Sequence, residues 1–184
     1  MGTIKTTNIE TITGSGTLTL GQSGETITIP SGATLNLSNA TQTGVGGTNT
    51  PAFSVYKSST QSLTSNVFTK VTFDTETYDI GNCFASSRFT PTTAGYYFIH
   101  SALEVYGTGV TRSTICIYKN GSNVKETDDE FASNSASTTP QITGVFYMNG
   151  TTDYIEIYLR LVGTSPTISS SEPETNFLGY KLID

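Results

Sequence analysis

Six stretches of this chain alternate apolar and polar side chains with a period of two: residues 69–73, 96–105, 115–118, 142–147, 154–161 and 177–183. Turn signals separate them, among them Thr93-Ala94-Gly95, Lys119-Asn120-Gly121 and Met148-Asn149-Gly150. Successive side chains of a strand point to opposite faces, so a period of two predicts half-buried strands. No window carries the 3.6-residue apolar stripe of a helix. Many short strands within about 130 residues predict an all-β sandwich or jelly roll.

Composition supports this. Thr, Ser and Gly dominate, and charged residues make up 13% of the chain. The ten Tyr and nine Phe all lie past residue 50, where they suit pleated surfaces. A hydrophobic content of 35% is low for a compact monomer, so part of the apolar burial is expected between subunits. The net charge of −6 and nine scattered basic residues argue against nucleic acid as a partner. No apolar run reaches the length of a membrane span or a signal-peptide core, which predicts no membrane insertion and no export signal. Cys83 and Cys116 are the only cysteines, and both are expected to be free thiols.

The chain reads as two regions, 1–50 and 51–184. The first has no aromatic residue, and its only charges are Lys5, Glu10 and Glu25. It repeats a turn followed by a short alternation: Ser15-Gly16-Thr17-Leu18-Thr19-Leu20, Ser23-Gly24-Glu25-Thr26-Ile27-Thr28-Ile29, and Ser31-Gly32-Ala33-Thr34-Leu35-Asn36-Leu37. One such strand buries too little to offset its ordering entropy, so repeats of this kind survive by stacking on copies of themselves. Three chains wound into a slender shaft is the favoured reading, and a flexible linker is the other. Residues 38–50 are small, polar and Gly-rich, and read as a hinge.

The second region resembles the C1q-like domain, part of the C1q and tumour-necrosis-factor group. Phe73, Asp79, Phe84, Phe89, Gly95 and Tyr97 take the places of that family's signature, with a shorter gap between Phe84 and Phe89 and with Ile99 where the signature has Phe. The strand before Lys119-Asn120-Gly121, the segment from Asn149 to Ile157 and the closing Phe177-Leu178-Gly179-Tyr180 also resemble family segments. The resemblance implies a ten-stranded jelly roll assembling as a homotrimer. The residues agree with it. In 96–103, Tyr97, Ile99, Ser101 and Leu103 share one face, and Tyr96, Phe98, His100 and Ala102 share the other. A strand apolar on both faces must be covered on both, and a neighbouring subunit is the natural second cover.

A head of this kind on a Thr/Gly-rich β-repeat is similar to phage-encoded fibre proteins. The resemblance implies a non-enzymatic virion fibre on tail or capsid, assembled in the host cytoplasm. Residues 1–50 would dock on a virion tail or capsid protein, and the head would bind a host cell-surface glycan or protein. A capsid decoration or stabilising spike without a receptor, and a secreted bacterial C1q-like lectin, are the alternatives. Chemistry for an enzyme is hard to assemble here: His100 is the only histidine, set mid-strand in an aromatic run, and no phosphate loop or zinc-spaced set occurs. The acidic cluster Glu126, Asp128, Asp129 and Glu130 reads as a loop, in which Asp128 and Asp129 are the candidate ligands for calcium. Residues 106–109, 126–135 and 165–174 are the loops expected to offer binding surface at the distal end.

Overall fold

Where side chains alternate, pairing two sheets face to face buries one row of each strand. That is the arrangement this chain adopts. The computed structural model describes residue 19, residues 22–36 and residues 49–182, with the backbone alone for 132–135. The chain divides into two units, Met1–Val45 and Gly46–Asp184.

In the second unit the strands are β1 (Ala52–Tyr56), β2 (Gln61–Ser62), β3 (Thr69–Lys70), β4 (Thr75–Ile80), β5 (Phe84–Ala85) and β6 (Arg88–Phe89). They continue with β7 (Gly95–Ala102), β8 (Val105–Lys119), β9 (Ser122–Thr138), β10 (Gln141–Met148), β11 (Ile155–Ile168) and β12 (Asn176–Lys181). One sheet runs β10-β7-β12-β1-β4 and the other β5-β6-β11-β8-β9, with β2 and β3 also pairing β11. Every pairing is antiparallel. The described residues carry twelve strands, four of them (β2, β3, β5 and β6) only two residues long, where the resemblance implies ten.

The core lies between the sheets. Tyr97, Ile99 and Leu103 come from one side, and Ile115, Ile117, Ile155, Ile157, Leu159 and Leu161 from the other, all without solvent contact. At one end of it the rings of the signature gather into a single cluster. Phe53 stacks on Phe89 at 4.5 Å and on Phe84 at 5.2 Å, and meets Phe177 edge-on at 4.8 Å. Phe177 reaches Phe73 at 5.4 Å, and Phe89 meets Tyr97 edge-on at 5.3 Å. Each such ring contributes about 1.5–3 kcal/mol by burial alone, with the offset and edge geometries favoured by the ring quadrupoles adding to it. The phenol of Tyr97 satisfies its hydroxyl by donating to the Thr93 carbonyl at 2.8 Å.

The other signature positions are backbone devices. The Asp79 carboxylate accepts the N–H groups of Cys83 at 2.9 Å and Phe84 at 3.0 Å, which fixes the turn that delivers Phe84 to the core. Gly95 has φ 146°, and a Cβ there would stand 2.7 Å from the Lys181 Cε. The hairpin between β8 and β9 turns on Asn120 (φ 54°) and Gly121 (φ 79°), the two-residue turn whose twist matches antiparallel strands.

Two expected loops are strand instead. Residues 106–109 run within β8, where register shifts mark irregularity in the ladders to β9 and β11. Residues 126–135 run within β9, paired to β8. Acidic residues on both parities hide the alternation there; as the edge strand of its sheet, β9 keeps charged side chains in water while one side of its backbone is laddered.

In the first unit the second and third repeats have the expected turns. The N–H of Glu25 donates to the Gln22 carbonyl and that of Ala33 to the Pro30 carbonyl, both at 3.0 Å. Between and after these turns, residues 25–30 and 33–35 form no strand among the described residues, and Ile27, Ile29 and Leu35 are exposed. The remaining repeat residues, including most of the first copy, lie outside the described residues.

Both thiols are buried and unpaired, as expected. Burial pushes the Cys116 thiol up to about 12, and burial with the neighbouring Asp79 carboxylate raises that of Cys83. Reactivity follows the thiolate. At about pH 8 the native chain should therefore resist iodoacetamide, and the denatured chain should take up two labels, as read by intact mass. Rapid labelling of the native chain would contradict this placement.

Candidate interaction face

The site builds outward from β7, the strand between β10 and β12. Its inward residues Tyr97 and Ile99 are buried in the core. Its outward residues are Tyr96, Phe98, His100 and Ala102, and the registers set neighbours beside them in rows. Tyr147 of β10 lies opposite Tyr96. Val145, Phe98, Tyr180, Ala52 and Ile80 form a row across all five strands. Thr143, His100, Leu178, Ser54 and Tyr78 form the next.

Rings pair along this surface. Phe98 and Tyr180 stack at 5.2 Å, and Tyr96 meets Tyr147 at 5.5 Å with the planes 69° apart. Yet the surface is open in the single chain: Tyr96 is 57% exposed, Val145 53% and Tyr147 51%. No Lys, Arg, Asp or Glu occupies an outward position of β7, β10 or β12. Strand spacing and rise give about 30 Å² of sheet per outward residue, so these three strands alone present on the order of 350 Å². The largest apolar patch of a soluble protein is often a contact surface. His100 sits near its centre, Nδ1 3.0 Å from the Thr143 hydroxyl, and partial burial lowers its basicity. Towards β1, a cleft of about 400 Å³ lined by Tyr56, Asn176 and Leu178 continues the face beneath Glu172 and Pro173.

The outer face of the other sheet is its opposite in chemistry. Glu156, almost fully buried, accepts from Lys70 at 2.7 Å and from Arg88 at 2.9 Å. Burial alone would raise its carboxyl; the two cations outweigh that and hold it below the usual carboxylate range. Arg88 also lies 3.7 Å over the Tyr154 ring. Further along, Arg112 clamps Asp128, with Nε at 2.9 and 3.0 Å from the two carboxylate oxygens. Arg160 stands 3.8 Å from the same carboxylate and donates to Thr114 at 2.9 Å. These charges find their partners within the chain.

That network bears on the calcium ligands expected from the sequence. Asp128 and Asp129 lie opposite Thr114 and Ser113 in the β8–β9 ladder, on alternate parities of one extended strand. Their side chains therefore face opposite sides of the sheet, and Asp128 already answers Arg112 and Thr114, which hold it below the usual carboxylate range. Within one chain they do not converge on a common ion, and among the described residues no three His, Cys, Asp or Glu groups cluster as a metal site. Of the three expected binding loops, 165–174 is a loop only after Ile168, where it reaches the end of the head away from Pro51. There the Ser169 N–H donates to the Glu104 carbonyl at 2.8 Å.

The architecture can be matched to solved structures. Murine APRIL superposes with a TM-score of 0.57 at 14% identity, over 71% of this chain and 98% of that one. The globular domain of zebrafish complement 1qA gives 0.55 at 20% identity, over 72% and 96%. The head is a jelly roll of the C1q and tumour-necrosis-factor type. Eiger TNF from S. frugiperda, at 8% identity, covers 72% of this chain and 92% of its own with a TM-score of 0.56. No family model and no curated protein sequence matches the chain. The C1q/TNF-like fold is thus held by the aromatic cluster and turns described above, with little sequence in common.

The sequence pointed to the outward residues of β7 but not to their neighbours. Val145, Tyr147, Leu178 and Tyr180 sit on the same parity of β10 and β12, a signal readable from alternation once those strands are placed beside β7. The two ion-pair networks predict unequal costs. Glu156→Gln should destabilise the chain by about 1–3 kcal/mol, short of a fully buried pair because Lys70 and Arg88 keep contact with water. Asp128→Asn, more exposed, should cost at most about 1 kcal/mol. Chemical denaturation of both variants checks the order, and a larger loss for Asp128→Asn would contradict it.

Proposed function

We propose that this chain is a non-enzymatic, homotrimeric virion fibre protein, docked on tail or capsid through residues 1–50 and presenting the C1q/TNF-like head to the host surface. The observation that carries the trimer is the charge-free aromatic face of β10-β7-β12, set against an opposite face laced with ion pairs. A partner surface that removes the first from water and leaves the second in it satisfies both. Three copies related by a rotation close the assembly and leave no bare apolar face at its end.

The N-terminal repeats favour a shaft over a flexible linker. Two turns with the same hydrogen bond recur eight residues apart, at Ser23-Gly24 and Ser31-Gly32, and among the described residues the apolar side chains that follow them are exposed. Neighbouring copies of the same repeat offer matching turns and matching alternation. A trimeric head on such a shaft multiplies weak contacts: three-fold presentation, and many copies per particle, raise avidity without a strong single site. The end of the head away from Pro51, where residues 169–175 lie, is the surface such an arrangement would turn outward. The host target would be a surface glycan or protein, and assembly in the host cytoplasm fits two thiols kept reduced.

Particles lacking the protein test this reading. They should lose most of their adsorption to host cells, and added full-length chain should compete with complete particles for the same cells. Normal adsorption by particles that have become fragile would overturn receptor binding and favour a stabilising spike.

A further inference from the structure

We propose that His100 makes assembly through this face sensitive to pH, with the neutral imidazole packing between copies and the imidazolium driving them apart. The inference rests on the reading of the β10-β7-β12 surface as the contact between copies.

His100 occupies the middle of that surface, on its central strand. Along β7 it stands between Phe98 and Ala102; across the strands it lies opposite Thr143 of β10 and Leu178 of β12. The groups facing its side of the sheet are neutral from every neighbouring strand. β10 offers Gln141, Thr143, Val145 and Tyr147, and β12 offers Asn176, Leu178 and Tyr180. Beyond them come Ser54 and Tyr56 of β1, and Tyr78 and Ile80 of β4. Charged side chains lie elsewhere: Asp79 and Glu76 are opposite Phe53 and Val55, on the other parity, and Lys181 is opposite Tyr97. On this side the carboxylate is Glu172, at the rim of the cleft beyond Leu178 and Asn176.

A positive charge created at His100 would therefore enter an apolar contact without a counter-ion within its own rows. In the free chain it keeps one side in water, because the residue is only partly buried. Covering by another copy removes that side. Burial already lowers its basicity in the single chain, and closer burial acts in the same direction. The sign follows. A His whose basicity falls on assembly leaves the assembled form at full strength above the free group's range, and weakens it as pH falls through about 6.5 and below. Each trimer must keep three imidazoles neutral, so the dependence approaches the third power of a single site's. The chain has one histidine, which makes the effect assignable to one residue.

The full-length chain at micromolar concentration tests this by light-scattering mass between about pH 7.5 and 5.0. The wild type should be trimeric at the upper end and should lose more than half its trimer at the lower, while His100→Gln, which keeps a hydrogen-bonding side chain without titrating, should stay trimeric throughout. An equally trimeric wild type at both ends would overturn the proposal, as would equal loss in wild type and variant. A monomer at pH 7.5 would instead overturn the subunit-contact reading beneath it. If His100→Gln fails to assemble at all, the single imidazole resonance decides: the assembled chain should titrate below the free-histidine range, and an unshifted value would sink the idea.

Discussion

A strand that is apolar on both faces can rest only between two apolar layers, and β7 is such a strand at the heart of this head. Tyr97 and Ile99 on its inner side join the core against the β11–β8 sheet. Tyr96 and Phe98 on its outer side have no layer above them in one chain. The rest follows from that imbalance. β10 and β12 flank β7 and repeat its pattern, so the bare surface is wider than one strand. Its twin sheet carries the ions.

Turns make this geometry rigid at the end where the chain enters the head. Asp153 accepts from Lys119 at 2.9 Å, from Asn120 at 2.7 Å and from the Asn149 N–H at 3.0 Å. One carboxylate thereby ties the β8–β9 turn to the β10–β11 loop. Asn149 returns the favour through its side-chain oxygen, which accepts three successive N–H groups from Thr151 to Asp153. The far end is tied as well: the Asp74 carboxylate accepts the Ser58 N–H at 2.6 Å, and the Thr175 hydroxyl accepts the Glu104 N–H at 3.1 Å.

Much of this was legible in the residues. The signature rings proved to be one cluster because they alternate inward from strands that must meet, and Gly95 and Asp79 proved to be turn devices. What stayed hidden depends on distance along the chain or on partners outside it. Lys70, Arg88 and Glu156 meet across separations of 86 and 68 residues, which no local spacing announces. The acidic row Glu126, Asp128 and Glu130 hides the strand character of β9; cations of β8 and β11 pair Asp128 and Glu130, and the Asn123 amide donates to Glu126. For Ile27, Ile29 and Leu35, alternation is readable in the sequence, and among the described residues these side chains are exposed.

The central claim is that the outer surface of β10-β7-β12 joins copies of this chain. Light-scattering mass of the full-length protein at neutral pH, alongside Phe98→Asp, tests it most directly. Phe98 points away from the core, so the variant should remain folded by circular dichroism. The wild type should weigh three times the 19.6 kDa chain and the variant a single chain. A monomeric wild type, or a Phe98→Asp chain that still forms trimers, would contradict the account.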